Sequence, residues 1–89
     1  MDKRLNKLRK EIDDIDEEIL SLLENRMKIV HEVGDLKQEL EISVEDLNRE
    51  NEIIERLTAH SKGDLSSKQL IRIFSAVFKS SKQIQRSHK

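Results

Sequence analysis

One arginine is out of place. Apolar residues recur at seven-residue intervals as Leu8, Ile15, Leu22, Ile29 and Leu36, and again as Leu5, Ile12, Ile19, Val33 and Leu40, two interlocked series that mark one side of a long helix. Where the second series calls for an apolar side chain between Ile19 and Val33, the chain has Arg26. A guanidinium cannot sit in such a seam without an anionic partner. Lys37 lies eleven residues further on, which on a helix is about 16 Å along the axis but only about 20° around it. Both cations therefore look onto one groove, with Val30 and Val33 between them. Two cations over an apolar floor suit a small dianion with a hydrocarbon body.

Further polar residues fall on faces that should be apolar. Around residue 50 the stripe Ile53, Ile54 and Leu57 is extended toward the N-terminus by Asp46 and Glu50. Asp46 is explained as a helix N-cap. Glu50 lies a full turn inside the helix, where a cap does not explain it. Later, the line of Phe74 and Phe78 runs on by helical steps to Ser81 and Gln85. Either that helix leaves the core there, or its end lines a polar pocket. Gly34, inside the long helix, costs about 1 kcal/mol relative to Ala and is either simply tolerated or permits close approach of another backbone or a ligand.

Other chemistries lack their residues. There is no Gly-rich phosphate loop, no Ser sits in a nucleophile-elbow context, and His31, His60 and His88 lack the paired spacing of a metal site and are read as surface residues. The acids Glu11, Asp13, Asp14, Asp16, Glu17 and Glu18 are read as a solvated face near the positive end of a helix dipole. With no Cys there is no thiolate chemistry and no disulfide framework, which fits the cytosol. A net charge of -1 and the near absence of aromatic residues argue against a nucleic-acid partner. No run of the sequence approaches the length of a membrane span and the start has no signal-peptide core, so a soluble, cytoplasmic protein is expected.

Three helices must position these groups, and the predicted fold class is all-α. The first runs from about 5 to 40, roughly 54 Å long. A short one spans about 47–60 behind Asp46, and a third spans about 66–86, opened by a capping box at Ser66, Ser67, Lys68 and Gln69. Met1 to Arg4 is expected to fray and Arg86 to Lys89 to be disordered. The segment Glu41 to Glu45, with β-branched Ile42 and Val44, reads as an extended connection, and Ser61 to Leu65 as a loop containing Gly63. The whole of 1–89 reads as one domain. A compact domain of this size has a radius of gyration of only about 12 Å, so the long helix must project beyond it and find more protein to lie against. An oligomer is expected.

The chain resembles the all-helical class of chorismate mutase over essentially its whole length, from LRKEIDDIDEEILSLLENR through MKIVHEVGDLK and VEDLNRE to IFSAVFKSSKQIQ. The matching residues lie on all three helices in the family's order: Arg9, Arg26 and Lys37, then Asp46, Arg49 and Glu50 in the D-x-x-R-E motif, then Ser81 and Gln85. Many members have prolines where this chain has Ser43 and Leu47, so the connection is expected to be more mobile or the first helix longer than the family pattern; none of the substrate-contacting side chains is missing. The resemblance implies a three-helix protomer intertwined in a homodimer with two shared active sites. It also implies conversion of chorismate to prephenate without metal or cofactor. Arg9 of the partner chain and Arg26 would clamp the two substrate carboxylates, Lys37 and Gln85 would donate to the ether oxygen, and Glu50 would accept from the ring hydroxyl. Asp46, Arg49 and Ser81 would complete the pocket. The helix geometry agrees: Arg9 lies about 25 Å along and about 260° around from Arg26, so one helix cannot aim both at one small molecule. Two alternatives remain: an isochorismate pyruvate lyase on the same scaffold, whose members tend to lack acids like Asp46 and Glu50, and a non-enzymatic helical dimerisation module.

Overall fold

A computed structural model describes residues 2–87. It contains α1 (Lys3–Glu39), α2 (Leu47–His60) and α3 (Ser67–Arg86). α3 is the middle element, packed against the C-terminal half of α1 on one side and against α2 on the other. The small core lies along it and consists of Val30, Ile53, Leu70, Val77 and Phe78.

Each helix begins where a side chain can satisfy its free backbone donors. The Asp2 carboxylate accepts from the Arg4 amide at 2.8 Å and pairs with the Arg4 guanidinium at 2.9 Å, so residues 2–4 form a capped start, not a frayed one. Asp46 accepts from the Arg49 amide at 3.0 Å. The capping box of α3 is closed in both directions, Gln69 N–H to Ser66 Oγ at 3.2 Å and Ser66 N–H to Gln69 Oε1 at 2.8 Å. Arg86 is still helical and Ser87 caps the end, so the expected disorder does not begin at Arg86; His88 and Lys89 lie outside the described residues.

α1 stops without Gly or Pro. The Glu41 amide reaches back to the Gln38 carbonyl (3.1 Å) and the Ile42 amide to the Lys37 carbonyl (3.0 Å), a Schellman arrangement that satisfies two of the acceptors left free at the helix end. Its cost falls on Glu41, held at φ 58°, where a side chain loses about 1–2 kcal/mol against the right-handed alternative. The connection therefore starts with a left-handed residue, and α1 ends at Glu39.

The N-terminal half of α1 is bare. Leu5, Leu8, Ile12, Ile15, Ile19 and Leu22 are between 43% and 67% exposed, and the first buried residue of the helix is Val30. The radius of gyration is 16.6 Å and the longest dimension 56 Å, against about 12 Å for the radius of a compact chain of this length. Among the described residues no helix is long and apolar enough to cross a membrane.

Gly34 marks the closest passage between α1 and α3. A Cβ added there would lie 2.8 Å from the Cα of Gln85 and 3.1 Å from its Cβ. Alanine would gain about 0.5–1 kcal/mol of helix propensity, but the opposing atom is backbone and cannot swing away, and overpacking of this kind costs about 1–3 kcal/mol. Gly34→Ala should therefore lower the thermal midpoint by several degrees at fixed protein concentration. An unchanged or raised midpoint by circular dichroism would show that the two helices can part without penalty.

Candidate active site

The second half of α1, the connection, the first turns of α2 and the end of α3 enclose a cavity of about 230 Å³. Its floor is apolar, formed by Ile29, Val30, Val33, Ile53 and Phe78. The helical phase of α1 places Arg26 and Lys37 above that floor, as their spacing requires. From α2 come Asp46, Arg49 and Glu50, and from α3 Ser81 and Gln85. Seven of the eight residues singled out in the sequence thus meet in one place. Arg9 does not: it is exposed on the projecting half of α1 and does not line the cavity of its own chain.

Arg26 Nη1 donates to Ser81 Oγ at 2.6 Å, and that hydroxyl donates onward to the Val77 carbonyl at 2.7 Å. The serine thereby joins α1 to α3, and its buried position is a polar wall of the cavity, not a departure of α3 from the core. Among the described residues no carboxylate comes within ion-pair distance of Arg26. Burial, and secondarily the charge of Arg49, push the Arg26 pKa down from its ordinary value. The seam arginine is thus a half-buried cation whose neighbour is a neutral hydroxyl. Such a group holds attraction in reserve for an anion.

Lys37 Nζ donates to the Val44 carbonyl at 2.9 Å and keeps two further donors. Asp46 combines its capping role with a place on the cavity wall. Gln85 is only 7% exposed, and its Oε1 has no hydrogen-bond partner among the described residues. An unmet buried polar atom costs about 1–3 kcal/mol. The unmet atom is an acceptor, so a donor would relieve it, while the amide nitrogen on the cavity wall is the group that can give to a ligand oxygen.

Lys82, which the sequence pattern did not single out, also lines the cavity. Its ammonium pairs with Glu50 at 3.3 Å and with Glu45 of the connection at 3.5 Å. The available clue is the four-residue step from Phe78, which leads to Lys82 just as the three-residue step leads to Ser81. Counting it, four cationic side chains face two carboxylates, so the wall carries a formal charge of +2. His31 and His60 are exposed on the surface, and His88 lies outside the described residues. No group of three or more His, Cys, Asp or Glu side chains among the described residues is arranged to hold a metal ion.

The sequence matches the family described as chorismate mutase type II over residues 8–86. The chain belongs to this family. Its fold is similar to the chorismate mutase (form II) of Thermus thermophilus, with a TM-score of 0.92 at 35% identity, covering 98% of this chain and 100% of that one. It is also similar to the Helicobacter pylori chorismate mutase solved in complex with prephenate, with a TM-score of 0.90 at 33% identity over 99% of this chain and 100% of the other. A stretch of 60 residues is 42% identical to the bifunctional chorismate mutase/prephenate dehydratase of Aquifex aeolicus, a match that takes in 67% of this chain but only 17% of that larger protein.

A half-buried guanidinium with no carboxylate partner offers this fold one hydrogen bond, to Ser81, against the cost of its desolvation. Methionine fills a similar volume without charge, and replacing unneutralised buried charge by an apolar isostere is often neutral or stabilising. Arg26→Met should leave the thermal midpoint unchanged or raise it by a few degrees. A clear fall would mean that the Arg26 to Ser81 bond is structural.

Proposed function

We propose that this chain is a cytoplasmic chorismate mutase that rearranges chorismate to prephenate within aromatic amino-acid biosynthesis, acting as an entwined homodimer. The observation that carries the reading is the convergence of Arg26, Lys37, Glu50 and Gln85 from three helices on one cavity of net positive charge. Chorismate is a dianion with a carbocyclic body, and a net positive wall over an apolar floor suits it. The reaction is an intramolecular [3,3] rearrangement in which an ether C–O bond breaks as a C–C bond forms, so it calls for no nucleophile. Catalysis comes from confining the compact reactive conformer and from stabilising charge that develops on the ether oxygen.

In this reading Arg26 takes one substrate carboxylate by its guanidinium fork. Lys37 and Gln85 donate to the ether oxygen, and Glu50 accepts from the ring hydroxyl. Ser81 steers Arg26, while Asp46 and Arg49 complete the rim. The second carboxylate falls to Arg9 of the partner subunit. Support for that assignment is the distance of Arg9 from its own cavity together with the exposed apolar stripe on the same half of α1, which a second copy would cover. The presence of both Asp46 and Glu50 favours mutase over isochorismate pyruvate lyase, because the ring hydroxyl then has an acceptor.

Incubation with chorismate and, in parallel, with isochorismate, with prephenate and salicylate measured separately, should give prephenate from the first and no salicylate from the second. Salicylate from isochorismate would support the lyase, and no turnover of either the dimerisation module. Arg9→Ala and Arg26→Ala should each be nearly inactive, yet a mixed dimer contains one site with both arginines intact, so co-refolding the two should restore a substantial part of the wild-type rate. A mixture that stays inactive despite demonstrated heterodimers would confine each site to one chain.

Gln85 makes the charge argument testable by pH. A neutral amide donates at any ordinary pH, so the wild-type rate should be nearly flat from mildly acidic to neutral conditions. Glutamate at this position donates only when protonated, and its carboxylate would repel the oxygen that gains charge. Gln85→Glu should therefore be most active in acid and lose activity as pH rises through a single titration absent from wild type. Parallel kcat/KM profiles would remove residue 85 from the breaking bond.

A further inference from the structure

Lys82 stands at the junction of three segments. It projects from α3, pairs with Glu50 in the first turn of α2, and reaches Glu45 in the connection. This pairing differs from the ion pairs of the open helix faces. The side chains of Lys10 and Asp14 are 72% and 52% exposed, whereas those of Lys82 and Glu50 are each 22% exposed and both line the cavity. Exposed pairs are screened by water and contribute little; partly buried ones are screened far less.

Glu50 has an electrostatic problem that Lys82 answers. A carboxylate that must accept a hydrogen bond from a bound dianion stands close to two like charges, and each approach within a few ångströms of partly desolvated space opposes binding. The ammonium sits against Oε2 of Glu50, which leaves Oε1 to accept from a ligand hydroxyl. The same ammonium also reaches the half-exposed Glu45, in the connection whose Val44 carbonyl engages Lys37.

We propose that Lys82 is a positioning residue of the active site, the counter-ion that holds Glu50 in place and lets it work beside a dianionic substrate. The proposal rests on the mutase reading above. Its effect passes through Glu50, so removing Lys82 matters only while residue 50 is charged.

The test is a double-mutant cycle on the intact protein, with kcat and KM for chorismate measured in wild type, Lys82→Met, Glu50→Gln and the double variant, plus Lys82→Arg, all checked for helix content. Lys82→Met should lower kcat/KM at least tenfold, Lys82→Arg should recover most of that loss, and in the Glu50→Gln background Lys82→Met should cost less than about twofold. Equal losses in both backgrounds would mean that Lys82 does not act through Glu50, and a Lys82→Met variant within twofold of wild type would mean that it does not act at all. Either overturns the proposal while leaving the mutase reading standing. A wild-type protein that makes no prephenate would instead bring down the mutase reading, and this proposal with it.

Discussion

The approach of α3 to α1 at Gly34 is the constraint on which the site depends. Any side chain at that position would occupy the space of the Gln85 backbone, 2.8 Å from where its Cβ would stand. Only because the two helices touch backbone to side-chain root do Ser81 and Gln85 become buried, and only because Ser81 is buried against α1 can its hydroxyl take the Arg26 guanidinium. Separate the helices by the width of a methyl group and the cavity floor opens while its donors drift from one another. A glycine that costs about 1 kcal/mol in helix propensity thus sets the distance between the groups on α1 and those on α3.

Within that frame the polar groups are satisfied unevenly. Ser81 both accepts and donates, Asp46 caps a helix, and Lys37 holds a loop carbonyl. Arg26 faces no carboxylate and Gln85 leaves an oxygen unmet among the described residues. Folding alone would not select such deficits, since each costs free energy that an apolar side chain would not. They are concentrated at one end of α3: negative charge on a ligand would answer Arg26, and only a donor group would answer the Gln85 oxygen.

How much of this is legible in the residue order follows the physics of each feature. A seven-residue period is a strong signal, so Arg26 in the seam, and Lys37 about 20° from it, stand out from spacing alone. Local capping chemistry likewise announces Asp46 and the Ser66 to Gln69 box. For Lys82 the step from Phe78 gives only its place at the edge of the helical face, because whether such a residue meets solvent or a neighbour depends on where α2 crosses α3, a distance that no local pattern encodes. The end of α1 departs from a simple extended connection for a related reason. Glu41 adopts a left-handed conformation that its side chain disfavours, and the compensation comes from two backbone hydrogen bonds and the docking of the following segment. At the N-terminus the signal is short-range and present in the sequence, yet the expectation of fraying neglects it: Asp2 followed by Arg4 is a cap with its own ion pair.

In the proposed dimer, the projecting half of α1 would make the active site and the assembly one problem. Six aliphatic side chains of its stripe, Leu5 to Leu22, are each about half exposed. Fully burying one such side chain contributes about 1.5–3 kcal/mol, so covering the exposed halves of all six would contribute on the order of 5–10 kcal/mol. That matches the entire folding stability of an ordinary small domain. A second copy laid along this stripe would supply the missing core, and Arg9 lies on the same half of α1, about 25 Å along the helix from Arg26 of its own cavity. In that arrangement the surface covered by the second copy would also be the surface that delivers a cation to the neighbouring site. Stability and activity would be lost together on dissociation, which links the long bare helix to the chemistry at its far end.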